Sequence, residues 1–258
     1  MPAECFESIP ERWGRVLRAP GLSGVADHFF TTRQLQLRGQ DIETRDWALV
    51  AGAIGVEPER LFRPRQVHGR QVVAVTGADL GPFADGHRPD ADVVITDDPS
   101  LALAVQVADC VPVLMADRRT GAVAAAHGGW RGTAARVVQA AVSSLASRFG
   151  SRAGDLVAAV GPSIGPCCYA VRQDVVDAFA AAGHPAESVD RWFSPTSGGR
   201  YLLDLWAATR DQLAGAGVKA EHIHCARLCT AHDTGRFFSY RVEGPSTGRM
   251  AAVIRARV

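Results

Sequence analysis

The sequence predicts one mixed α and β domain, class α+β, across residues 1–258. Three observations carry that expectation. Apolar runs of about four to eight residues, such as Leu101–Val107, Val111–Met115, Ala122–Ala126 and Leu156–Val160, have the length of buried strands. Other stretches space their apolar residues by three and four, which lines one face of a helix. Strand and helix signals then follow one another without a repeat, a low-complexity tract or a linker long enough to divide the chain.

Residues 1–20 are mixed in character and bounded by prolines, which predicts a loosely structured start with one short strand at most. Val25–Thr32 reads as a strand with Phe29 and Phe30 at its core and Arg33 at its end. A helix is predicted over 43–54, where Trp47, Val50, Ala51 and Ile54 share a side and Gly55 closes it. Arg63-Pro64-Arg65 interrupts the chain ahead of Gln66-Val67-His68-Gly69, and Val72, Val73 and Val75 resume a strand. Residues 77–92 read as a loop from their glycines, prolines and polar residues.

The best-supported helix carries Ala134, Val137, Val138, Ala141, Val142, Leu145 and Phe149 on one face, with Gly150 as its stop. Thr133 reads as its N-cap. After the strand Leu156–Val160, two Gly-Pro pairs fix a tight backbone, and a helix follows over Gln173–Ala182. Residues 184–200 read as a surface connection, rich in proline, serine and glycine. A helix over Leu202–Ala214 and closing strands at Val218–Cys225, Phe237–Tyr240 and Met250–Val258 complete the expectation.

A net charge of +1 gives no general electrostatic reason to expect nucleic acid or an anionic membrane as partner. No apolar run reaches the roughly 18 residues of a membrane span, and the first residues lack the apolar segment of a signal peptide. The expectation is a soluble cytoplasmic protein, with no obligate protein partner evident. Six cysteines are too few for a disulfide scaffold of this length, so they read as thiols.

His68, Cys110 and His127 lead the candidates for chemistry, because each sits at a strand end beside small or glycine residues. One thiolate and two imidazoles would leave a fourth position open on a tetrahedral zinc. Their wide separations match no short-range metal pattern, and core histidines with a buried thiol fit the same spacing. Asp109, directly before Cys110, either orients one of these groups or caps the turn. Gly128, Gly129 and Arg131 open the next helix and suit an anion such as phosphate, although a purely structural turn has the same composition. Arg33, Arg241 and Arg249 are further candidate anion contacts. A dense group, His222, His224, Cys225, Cys229 and His232, also suggests zinc, but alternation along a strand turns its histidines away from Cys225.

RQVHG (Arg65–Gly69), ADCVPVLMAD (Ala108–Asp117), AHGGWRG (Ala126–Gly132) and GPSIGPCCYAV (Gly161–Val171) occur in order, followed by Cys229-Thr230, FFSYR (Phe237–Arg241) and TGRMAAVI (Thr247–Ile254). This set resembles the YfiH or laccase-domain family, described as zinc-dependent purine nucleoside phosphorylases, as peptidoglycan editing factors and formerly as polyphenol oxidases. The resemblance implies a four-layer α/β/β/α sandwich with mixed sheets. It also implies Zn2+ held by His68, Cys110 and His127, with copper as an adventitious occupant. The implied reactions are phosphorolysis of adenosine, inosine, guanosine or methylthioadenosine, and deamination of adenosine.

Two departures accompany the resemblance. The segment after Arg33 is the compact QLQLRGQDIETRD, with Thr44-Arg45 where relatives carry Asn-Arg, which would alter one wall of the pocket; Gly128 stands where alanine is common. Two rival chemistries draw on residues of the same chain. Cys110 with His127 or His68 as base suits a cysteine amidase that edits peptidoglycan precursors. Multicopper oxidation needs several His-x-His pairs, whereas this chain has eight histidines and one such pair, His222 and His224.

Overall fold

A computed structural model describes residues 6–38, 40–77 and 88–257, with the side chains of 40–44 excepted. Two six-stranded sheets dominate it. The first runs, edge to edge, Glu7–Glu11, Gly14–Arg18, Ala26–Phe30, Met250–Ala256, Ala102–Val107 and Leu61–Phe62. Met250–Ala256 lies at its centre, pairing Val253 with Phe29 on one side and Ala252 with Val105 on the other. The second runs Ile223–Cys225, Leu156–Val160, Val111–Asp117, Val123–Gly128, Val93–Thr96 and Val72–Ala74. Each sheet mixes parallel and antiparallel pairs, the parallel ones lying at the edges. A small antiparallel sheet joins Ala170–Val171, Tyr201–Leu203 and Phe193–Pro195.

Alternation along the strands sorts their side chains into three cores. Along Val123–Gly128, Val123 and Ala125 face the first sheet, against Leu103, Val105 and Ile254. Ala124 and Ala126 face the other way, against Val138, Val142 and Leu145 of the helix Val137–Phe149. The outer face of the first sheet packs Phe29, Ala104 and Val253 against Trp47, Val50, Ala51 and Ile54 of the helix Gln40–Ile54. Strands buried on both faces have no polar side, which is why they read as unbroken apolar runs. Fully buried Leu114, between the sheets, is a position where truncation to alanine costs about 2–5 kcal/mol.

Several local expectations are corrected. Residues 1–20 contain a hairpin, Glu7–Glu11 with Gly14–Arg18, rather than a loose segment. The helix expected to begin after Thr133 is two helices, Trp130–Ala134 and Val137–Phe149. Arg136 separates them in the left-handed region, at φ 64°, and its guanidinium bonds the Ala182 and Gly183 carbonyls. Thr133 lies inside the first helix, and Gly129 caps it; Gly150 closes the second at φ 64°, as expected.

Residues 184–200 hold the helix Ala186–Trp192 and a strand, because Trp192 and Phe193 bury themselves against Phe179. The next helix starts at Leu205, where the Asp204 carboxylate accepts from Ala207 N; Leu202 belongs to a strand. His222 falls in a 3-10 turn, so only Ile223–Cys225 of the strand expected there forms. Phe237 and Phe238 are buried without strand pairing, and Ser239 caps the short helix Tyr240–Glu243. Most of the loop expected over 77–92 lies outside the described residues.

Candidate functional site

The register of two strands brings the central residues together. Val111–Asp117 and Val123–Gly128 are antiparallel, with Pro112 opposite His127 and Val111 opposite Gly128. The start of one strand therefore meets the end of the other, which sets Cys110 beside His127. His68 arrives on the loop before Val72–Ala74, in a left-handed conformation at φ 61°. The Gln66 side chain anchors that loop to the other sheet, bonding the backbone of Gln106 through both its amide nitrogen (2.8 Å) and its oxygen (2.7 Å).

One ligand atom from each of His68, Cys110 and His127 lies within 4.8 Å of the others. The two imidazole rings meet edge to face, with centroids 4.9 Å apart. A buried carboxylate, Asp92, organises both histidines. Its Oδ1 lies 2.8 Å from His127 Nδ1 and accepts from His68 N at 3.0 Å, while Oδ2 accepts from Gly69 N at 2.6 Å. Burial raises the Asp92 pKa, but the bonds from His127, Gly69 and His68 outweigh it and hold the group below the ordinary carboxylate value. With Nδ1 engaged, His127 presents Nε2 to the cluster, the arrangement of a metal-binding histidine with a carboxylate behind it.

Electrostatics couples the thiol to the same histidine. Burial would raise the Cys110 pKa, yet the charge and hydrogen bond of His127, with help from His68, lower it to about 6. Burial would likewise lower His127, but the Cys110 thiolate and Asp92 raise it to about 9. Two nitrogens and one sulfur at this spacing fit a tetrahedral zinc with a fourth position open. Gly129 makes room for the group: a Cβ there would lie 3.1 Å from Cys110 Sγ and 3.1 Å from His68 Cδ2.

The three residues line a cavity of about 1000 Å³. Gly129, Trp130 and Arg131 border it on one side, and Tyr169, Tyr240, Arg241 and Arg249 on another. Arg131 stacks on Trp130, with Cζ 4.3 Å from the ring centroid, and Arg241 lies 4.9 Å from the centroid of Tyr169. Burial lowers the Arg249 pKa, and nearby Arg38 adds to the effect, as expected where cations are crowded. Burial, reinforced by the Cys110 charge, pushes the Tyr169 phenol well above its ordinary value, so it keeps its proton. Arginines together with Trp130, Tyr169 and Tyr240 in the lining suit an anion together with a planar organic group.

Some expected residues are placed differently. Arg33 does not line the cavity; it pairs with Glu243 at 3.0 Å, bonds the Thr234 carbonyl and lies over Phe238. Gly128 is a strand residue behind the cavity, where a Cβ would meet Val111 O at 3.2 Å. The Asp109 carboxylate binds neither histidine. It accepts from Thr230 Oγ1 at 2.7 Å and Arg241 N at 2.6 Å, which ties two later loops to the cluster. Arg45 pairs with Asp46 at 2.9 Å and is not a cavity residue; the side chain of Thr44 lies outside the described residues. Asp92 and Tyr169 went unassigned in the sequence, although a carboxylate beside the apolar Val93–Thr96 run was a signal that a buried partner exists.

A family model described as multi-copper polyphenol oxidoreductase laccase matches residues 22–257. The purine nucleoside phosphorylase YlmD of Geobacillus stearothermophilus is 40% identical over 202 residues, covering 77% of this chain and 73% of that protein. A purine nucleoside phosphorylase of Bacteroides thetaiotaomicron is 32% identical over 260 residues, 93% of this chain and 96% of its own. The crystal structure of YlmD from Geobacillus stearothermophilus superposes with a TM-score of 0.89 at 33% identity, covering 99% of this chain and 100% of that one. Sequence and backbone agree over nearly the whole length, and on that ground the chain belongs to the YfiH/laccase-domain family.

Proposed function

We propose that this chain is a zinc-dependent purine nucleoside phosphorylase that cleaves adenosine, inosine, guanosine or methylthioadenosine with inorganic phosphate, and that the same centre deaminates adenosine. The observation that carries this reading is the meeting of His68, Cys110 and His127 at the edge of an arginine-lined cavity of about 1000 Å³. The phosphorylase names of the relatives supply the reaction class.

His68, Cys110 and His127 would hold the ion, and Asp92 would fix the tautomer of His127. Zinc bound there supplies Lewis acidity towards a phosphate or purine atom and activates water. Copper suits the same imidazole and thiolate donors, so it would be an adventitious occupant. Arg131, Arg241 and Arg249 offset the charge of phosphate as one of its oxygens attacks ribose C1′. The C1′–N9 bond breaks with its electron pair leaving on the purine. Tyr169 offers a proton-bearing hydroxyl to the bound nucleoside, and Gly129 keeps the cation's surroundings open. Asp109 acts as a positioning residue, because it fixes the backbone of Arg241. The partners are small molecules, nucleoside and phosphate, and the setting we assign is the cytoplasm.

Incubation with adenosine and phosphate tests the reading. Chromatography should show adenine with ribose 1-phosphate, and inosine as a second product. Cys110→Ala should reduce both by roughly a hundredfold or more, as expected when a ligand of a catalytic metal is lost. Equal turnover by the variant would remove the site from the reaction.

One observation favours a second reading. A thiolate at Cys110, an imidazolium at His127 and Asp92 behind it form the chain of groups used by cysteine hydrolases. An amidase acting on peptidoglycan precursors would keep its activity in chelator and lose it on alkylation of Cys110.

A further inference from the structure

A second group of soft donors lies outside the cluster described above. One ligand atom from each of Cys167, Cys168 and His232 falls within 4.8 Å of the other two. The Cys167 and Cys168 sulfurs are 3.5 Å apart. Cys229 lies close enough to push the pKa of both thiols up, and its own sulfur accepts from Gly165 N at 3.2 Å. The Zn–S length of about 2.3 Å places neighbouring sulfurs of a tetrahedral site a little under 4 Å apart, close to the spacing seen here.

Two loops build the group, and the backbone holds both in register. Ser163 bridges Cys229, with Ser163 N donating to Leu228 O and Thr230 N to Ser163 O. Cys168 N and Tyr169 N both donate to Gly165 O, which turns the adjacent cysteines over the Gly165 amide. Asp233 N donates to Cys229 O, so Cys229 and His232 share one turn. Cys167 and His232 are exposed, which leaves an ion a route in. Only sequence distance concealed the set: His232 groups with the Cys167-Cys168 pair and not with His222 or His224.

We propose that Cys167, Cys168 and His232 form a second metal site, with Cys229 close beside them, for a thiophilic d10 cation, zinc or copper(I). Soft thiolate ligands select these ions over magnesium or calcium. The Gly165 amide donates to Cys229 and so holds this neighbouring thiol in place beside the three. The site sits on the loops that complete the larger cavity. Tyr169, next to Cys168, lines that cavity, and Thr230, next to Cys229, holds Asp109 at 2.7 Å. An ion here would brace both loops.

Cobalt substitution separates this site from the first. Cys110 is the only thiol among the first three ligands, so a Cys110→Ser protein carries no thiolate there. Reduced, metal-free Cys110→Ser protein titrated with Co2+ should still develop intense thiolate-to-cobalt charge-transfer absorption in the near ultraviolet. Adding His232→Gln, an exposed change, or Cys167→Ser should weaken that absorption and lower the affinity at least tenfold. Elemental analysis of the protein as isolated should find a second equivalent of zinc or copper, which Cys110→Ser leaves in place. Absence of the absorption in Cys110→Ser, or a thiol count showing the cysteine pair oxidised in place of a second ion, would overturn the proposal. Either result would leave the first site untouched.

Discussion

Asp92 Oδ1 lies 2.8 Å from Nδ1 of His127, and the same carboxylate receives the backbone N–H groups of His68 and Gly69. One buried acid therefore sets both the ring orientation of one proposed ligand and the loop that carries another. Asp92→Asn keeps the shape but removes the charge that favours a proton on Nδ1. Zinc affinity should fall about 10–100-fold, the range for loss of an outer-shell partner. Competition with a chromophoric chelator measures it, and an unchanged constant would detach Asp92 from the metal.

Cys110 reports the same electrostatics without metal. Its pKa is lowered to about 6, so in chelator-treated protein the thiolate predominates above that pH, and His127, raised to about 9, stays protonated beside it. Alkylation of Cys110 by iodoacetamide, followed by mass spectrometry, should rise with a midpoint near pH 6. His127→Ala removes the partner charge, and the midpoint should move up towards the ordinary thiol value of about 8.5 or beyond. A midpoint indifferent to residue 127 would contradict the pairing.

Gly129 tests whether space, and not charge, limits the cluster. A methyl group there must push on Cys110 Sγ and His68 Cδ2, both 3.1 Å from its position. Gly129→Ala should depress zinc affinity and turnover together, by roughly tenfold or more, while the melting temperature of the metal-free protein stays near that of the parent. Full activity in this variant would show that the cluster tolerates a wall closer than the structure allows.

Far from the cavity, His28 supplies a pH dependence of stability. Burial lowers its pKa to about 4, and its Nε2 accepts from Ala19 N at 2.9 Å, which requires the neutral ring. The unfolded chain therefore binds a proton at higher pH than the folded one. The stabilisation is present above about pH 6.5 and is lost as pH falls towards 4. Between pH 7 and 5 this single group should contribute a loss of about 2 kcal/mol. Urea unfolding at both values, compared with His28→Gln, isolates the contribution; an equal loss in the variant would assign the acid sensitivity elsewhere.

How much of this was legible in the chain depends on how local each cause is. Strands such as Val111–Asp117 and Val123–Gly128 could be read because both faces are buried and the apolar run has no interruption. The three proposed ligands stood out as reactive residues at strand ends, but their meeting depends on the pairing of Pro112 with His127, which spacing alone does not give. The break at Arg136 was invisible, because its left-handed backbone is held by carbonyls of Ala182 and Gly183 from a distant segment. Arg33 looked like an anion contact until Glu243, far along the chain, appeared beside it. Trp192 and Phe193 were hidden by the prolines and serines around them, since only contact with Phe179 explains why that segment folds inward.

The central claim is that His68, Cys110 and His127 act together through one bound divalent ion. Adenosine phosphorolysis measured before chelation, after chelation and after zinc is returned tests it most directly. Turnover should vanish with the metal and recover on its return, and Cys110→Ala should stay inactive throughout. Undiminished phosphorolysis by the metal-free protein would contradict the account.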